Sequence, residues 1–156
     1  MESRASLAWL DELVPIANAV TFADDRMILL ATSVHRDGTA SVRAVAETTV
    51  SSFLSFNPDW WTEVIPTCEL TLTAGGKFVA GEGAQGADGF IAKSDSQGRL
   101  EFSVFLDCSN PFVELSSSPD GSRLQATNNQ GAIWEFDVAS PWIIHVRGPS
   151  SQGSIR

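Results

Sequence analysis

The chain has 156 residues, 43% hydrophobic and 19% charged, a balance that supports one packed domain and argues against a disordered segment. Lys and Arg total 10 against 19 Asp and Glu, a formal charge of −9. Such a surface repels phosphate backbones and anionic lipid, so neither direct nucleic-acid binding nor membrane binding is expected.

Cys68 and Cys108 are too few for a disulfide framework and form no C-x-x-C pair, so both read as buried structural thiols, with a single disulfide the alternative if the protein is exported. Asp11, Glu12 and Pro15 interrupt the apolar residues of the first turns, which makes a poor signal peptide and a poor membrane span and points to a cytoplasmic protein.

Ser3 or Ser6 can cap a short helix in which Leu7, Leu10, Leu13 and Val14 recur at near-helical spacing until Pro15 interrupts it; this apolar stripe is expected to pack on a sheet. Residues 27–35 and 40–47 flank an Arg36-Asp37-Gly38 turn and read as a β-hairpin. Residues 53–66 contain Asn57-Pro58-Asp59 followed by Trp60 and Trp61, and read as a loop carrying aromatics. Residues 69–73 return as a strand. The glycines from Gly75 to Gly89 then suggest a flexible or ligand-approaching segment.

From Phe90 onward, apolar strands alternate with turns at residues 95–98, 110–111, 119–121 and 128–131, the pattern of an antiparallel meander of about five strands. Leu100, Phe102 and Val104 should face one way, with Glu101, Ser103 and Phe105 facing the other. The fold class is therefore mainly β (α+β): an antiparallel meander or sandwich with a short N-terminal helix packed on it. Residues 1–147 read as a single globular domain and residues 148–156 as a flexible Ser/Gly-rich tail.

Motifs that would announce a chemistry fail on context. Gly81-Glu82-Gly83-Ala84-Gln85-Gly86 matches G-x-G-x-x-G, but no helix follows whose N-terminus would hold a pyrophosphate, and Glu82 would repel it. Residues 117–124 with Ile133-Trp134-Glu135-Phe136-Asp137 resemble one WD-type propeller repeat; no second copy follows, so a hairpin with a Pro-Asp-Gly turn is the simpler reading. His35 and His145 show no metal spacing, and there is no G-x-S-x-G elbow or H-E-x-x-H helix. Asp24, Asp25, Asp95 and Asp120 read as turn formers; Glu101, Glu114 and Glu135 as solvent-facing strand positions; Asn110, Asn128 and Asn129 as turn stabilisers. No catalytic residue, metal or cofactor is assigned.

Adjacent residues on an extended segment point oppositely, so Trp60 and Trp61 should not both enter one core. An exposed Trp beside Asp59 and Glu63 combines a large apolar contact with an acidic rim, the composition of a protein-binding hot spot.

Gly86-x-x-Gly89-Phe90, the Gly98-Arg99-Leu100-Glu101-Phe102 strand, Asn110-Pro111-Phe112 and Asn128-Asn129-x-Gly131-x-x-Trp134 together span much of residues 75–146. This assembly resembles the small acidic immunity proteins that accompany secreted polymorphic toxins of bacteria. The resemblance implies a cytoplasmic inhibitor that binds a cognate toxin domain and blocks its active site or substrate path. If that target is a basic nuclease, Asp59, Glu63, Glu82 and Asp88 would act as phosphate mimics in its cleft. The alternatives are a carbohydrate- or peptide-binding β-module with the Trp pair as platform, or a small enzyme using Asp, Cys or His.

Overall fold

The computed structural model describes residues 2–149. In chain order the elements are α1 (Arg4–Trp9), β1 (Leu13–Pro15), β2 (Ala19–Phe22), β3 (Arg26–Val34), β4 (Ala40–Thr49), α2 (Val50–Phe56), β5 (Trp61–Glu63), β6 (Ile65–Thr71) and β7 (Lys77–Glu82), followed by β8 (Gly89–Ser94), β9 (Leu100–Leu106), β10 (Phe112–Ser117), β11 (Arg123–Asn128), β12 (Ile133–Asp137) and β13 (Ile144–Arg147). The mainly β, antiparallel architecture with a short capped N-terminal helix is as the sequence indicates. Among the described residues no helix is long and apolar enough to cross a membrane.

The strands form a seven-stranded sheet in the order β4-β3-β2-β9-β8-β7-β6, a four-stranded meander β10-β11-β12-β13, and a two-stranded ribbon of β1 and β5. β10 runs beside β6 and β13 beside β4, so the two larger sheets close on each other as a flattened sandwich. Across one seam the Thr67 hydroxyl donates to the Phe112 carbonyl at 2.9 Å. Between the sheets lie Val20, Phe78, Ile91, Val104, Leu106, Leu124 and Phe136, with Phe112 set edge-on to the Trp134 ring at 6.2 Å.

The seven-stranded sheet is apolar on its other face as well. Ala19, Met27, Val79, Phe90, Ala92 and Phe105 point away from the sandwich core and are covered by Ala5, Val14, Val50 and Leu54 from the helices and ribbon and by Val64 between β5 and β6. The period of two survives within β9, where Phe102 and Val104 face the sandwich core and Phe105 the helical layer. Leu100 joins the helix-side cluster because the β8–β9 register shifts between Lys93 and Ser94. The molecule therefore has three layers: meander, central sheet, and helices with ribbon.

Three expectations need correction. The segment read as a loop from residue 53 contains the end of α2, which Thr49 caps by accepting from the Ser52 N–H at 3.1 Å. Residues 89–147 carry six strands, of which β8 and β9 belong to the central sheet and β10–β13 form the meander. Finally, α1 stops at Trp9, and Leu13 and Val14 belong to β1. The apolar stripe is thereby divided: Val14 is buried, whereas Leu7 is 51% and Leu10 is 74% exposed.

The glycine-rich segment is anchored. After β7 the chain turns back around Asp88, which is fully buried and accepts from the backbone N–H of Gly83 at 3.0 Å and of Gln85 at 3.1 Å. Any side chain at Gly83 would collide with that carboxylate. Of the expected tail, Gly148 and Pro149 lie against the Asp37–Thr39 turn, and residues 150–156 fall outside the described residues.

β4 is an edge strand whose residues 43–47 are exposed. Its pairing with β3 shifts between Leu29 and Leu30, and Arg43 and Glu47 flank the irregularity; a bulge and charges of this kind discourage edge-to-edge pairing.

The turn formers behave as read. The Ser122 backbone N–H at 3.0 Å, with the Ser122 and Ser118 hydroxyls each at 2.8 Å, holds the Asp120 carboxyl down at about 2 from its ordinary 3.8. A folded pKa below the unfolded one adds stability above the unfolded value and loses it as pH falls toward the folded value. An NMR titration of side-chain carboxyls should therefore place Asp120 near 2, and Asp120→Asn should flatten the pH dependence of stability between about 4 and 2; an Asp120 midpoint near 3.8 would contradict this turn geometry.

Candidate protein-binding surface

The helical layer depends on one residue of the β2–β3 turn. Asp25 adopts a left-handed backbone with φ 75°, and its carboxylate accepts from the N–H of Arg4 at 3.1 Å and of Ala5 at 2.9 Å. Its carbonyl accepts from the Val50 N–H at 2.9 Å. Asp25 thus supplies partners to the first turns of both helices, whose leading N–H groups lack partners within the helix. Ser3 adds a second cap on α1, accepting from the Ser6 N–H at 3.0 Å.

With the helices fixed in this way, Ala5, Val50 and Leu54 face the sheet while Leu7, Leu10 and Phe56 face outward. Phe56 is 86% exposed. The Asn57–Asp59 turn then returns the chain to the ribbon, where Pro15 pairs with Trp61 and Leu13 with Glu63. Trp60, just ahead of the ribbon, is 49% exposed, and its ring meets Phe53 edge-on at 6.1 Å. Trp61 is half-buried, packing on one side against the helix-side core, so Trp60 is the more exposed of the two.

Between α1, α2 and the ribbon runs an open groove of about 630 Å³, walled by Leu7, Ala8, Leu13, Leu54, Pro58 and Trp61. The exposed acids Asp11, Glu12, Asp59 and Glu63 belong to the segments that frame it, and Arg4 is the basic residue on its wall. Asp59 and Glu63 are both exposed, Glu63 paired with Leu13 of the groove wall. Glu82 is half-buried on β7 opposite Ile65, on the central sheet and not on the ribbon. Asp88 is corrected outright: a fully buried carboxylate that fixes its own loop presents no charge to a partner. Leu7, Leu10 and Phe56 were missed. Phe56 ends a helix with no charged residue, and the two leucines carry the spacing of a core stripe.

A second cavity, of about 300 Å³, lies at the sandwich end where His35, Asp37, Cys108 and Asn128 converge. Burial pushes the Cys108 thiol up, and its Sγ lies 3.4 Å from the Thr32 hydroxyl. Asn128 is buried, donates to the Ser109 carbonyl at 2.8 Å and accepts from the N–H groups of Gln130 and Ala132, which joins two turns. Cys68 is likewise raised by burial. Among the described residues no group of three His, Cys, Asp or Glu side chains could hold a metal ion.

Compared with protein-family models, with curated proteins and with solved structures, the chain finds no match in any of the three.

Removing the Asp25 carboxylate should loosen α1, whose first turn it caps, and leave the carbonyl bond to α2 in place. Asp25→Ala is expected to cost about 1–2 kcal/mol, through the lost cap and the left-handed backbone, and to speed amide exchange in α1. Asp25→Gly, which keeps the backbone at ease, separates the two contributions. Chemical denaturation with both variants at wild-type stability would refute this anchoring.

Proposed function

We propose that this chain is a protein-binding inhibitor of the immunity type, acting in the cytoplasm to neutralise a cognate toxin by covering its active site or substrate path. The observation that carries the reading is the outward face of the helical layer. Leu7, Leu10, Phe56 and Trp60, four large apolar side chains on α1, α2 and the segments that follow them, are about half exposed or more, and Leu7 lines the groove, near which stand exposed carboxylates. Isolated exposed apolar residues are ordinary, but a cluster with a polar rim is the composition of an interface.

The charge narrows the partner. A face framed by Asp11, Glu12, Asp59 and Glu63 on a chain of charge −9 favours a basic surface and accelerates encounter with it. A second copy of the same face would bring carboxylate against carboxylate. The Trp pair does not form a flat double platform for a sugar, because Trp61 packs into the layer below.

Affinity capture from the native host, with wild type and Trp60→Ala as parallel baits, tests the reading. The expected result is one stoichiometric, basic partner whose enzymatic activity the wild-type chain abolishes. Trp60→Ala should leave thermal stability within about 0.5 kcal/mol while weakening the complex by about 2 kcal/mol, mainly through faster dissociation. Asp59→Asn with Glu63→Gln should slow association at low salt. A folded wild-type bait that enriches no partner, or a partner whose activity is untouched when bound, would overturn the proposal.

A further inference from the structure

We propose that the groove between α1 and α2 receives a single basic amphipathic helix of the partner, its apolar stripe seated between the two helices and its Lys and Arg side chains lying against the surrounding carboxylates. This deepens the reading of the chain as a protein-binding inhibitor and rests on it.

The backbone argues for a helix over a strand. The two long walls are helices, whose backbone groups are bonded within themselves or capped by Ser3, Asp25 and Thr49. The ribbon at the groove's end is three residues long on each strand and includes Pro15. An incoming extended segment would find few groups to pair with, whereas a helix satisfies its own N–H and C=O groups and needs only side-chain contact.

The groove has matching dimensions. Its volume of about 630 Å³ exceeds what one side chain fills, and its wall residues Leu7, Ala8, Leu54 and Trp61 are predominantly apolar. Anchors spaced by three or four residues on an incoming helix would sit between Leu7 and Leu54, with Arg4 at the start of α1 the one charged side chain on the groove wall.

Charge complementarity selects a basic occupant. Asp11, Glu12, Asp59 and Glu63 are all exposed on the segments next to the groove's wall residues Leu13, Pro58 and Trp61, against one Arg4 on the wall. Asp11 and Glu12 also sit where local preference opposes them. They follow the C-terminus of α1, the negative end of its dipole, and Glu12 holds φ 57° at a position where glycine or asparagine would be less strained.

The test uses the full chain and two synthetic helical peptides of about 15 residues with the same leucine stripe, one flanked by Lys and Arg and the other by Glu. Binding is followed by NMR at near-physiological salt. The basic peptide should shift the amides of residues 4–13 and 50–63 and leave those of the meander unmoved, and it should bind at least about ten-fold tighter than the acidic peptide. Leu7→Asp, at an exposed position, should weaken binding by about ten-fold or more without changing the rest of the spectrum, and Asp59→Asn with Glu63→Gln should weaken it several-fold. No binding, equal binding of both peptides, or shifts on the meander would overturn the helical occupant. If the peptide fails while Trp60→Ala still disrupts a captured partner, the occupant is wrong and the inhibitor reading stands. If the peptide behaves as stated but no partner is captured, the groove chemistry stands and the inhibitor reading falls.

Discussion

Everything in this molecule follows from a central sheet that is apolar on both faces. Phe78, Ile91 and Val104 point to one side and Val79, Phe90 and Phe105 to the other, all within 8% of complete burial. Each such side chain left in water would forgo about 1.5–3 kcal/mol, so the sheet requires a cover on each side. The meander supplies one and the helices with their ribbon supply the other. Asp25 joins that second cover to the sheet, since its carboxylate holds α1 and its carbonyl holds α2.

A cover made of two very short helices cannot turn every apolar residue inward. α1 spans six residues and α2 seven, fewer than two full turns each. Ala5, Val50 and Leu54 satisfy the sheet, which leaves Leu7, Leu10 and Phe56 facing solvent. The outer face of the helical layer is thus an apolar surface on a well-anchored support, framed by acids. On the proposed function that combination favours binding, because an anchor held in place beforehand loses little freedom in a complex.

The fold class was legible because turn chemistry and two-residue alternation agree along the second half of the chain. Asp95 and Asp120 bond the backbone of their own turns, as their flanking Gly, Ser and Pro suggest. Three features were not legible. The pairing of β2 with β9 joins segments some eighty residues apart, and no local signal encodes it. The burial of Ser103 and Phe105 behind the helical layer cannot be read from a strand that alternates in the same way whether its second face is wet or covered. α2 was hidden because Val50, the serines and the phenylalanines have middling helix preference and carry no charge pattern; Thr49 as cap and the Val50–Leu54 spacing were the available clues.

The candidate surface was half legible. Trp60, Asp59 and Glu63 were marked by the contradiction of two adjacent tryptophans on an extended segment. Leu7 and Leu10 carried the spacing of a buried stripe, and only the early end of α1 shows that they are not buried. Asp88 looked like one acid among many because burial of a carboxylate leaves no trace in composition. The most direct measurement of the central claim is hydroxyl-radical footprinting of the chain free and in complex with its captured partner. The account expects Leu7, Phe56 and Trp60 to lose reactivity on binding while Val113 and Ile143, exposed on the meander, keep theirs. Protection of Val113 and Ile143 with Phe56 and Trp60 unchanged would place recognition on the opposite layer and contradict it.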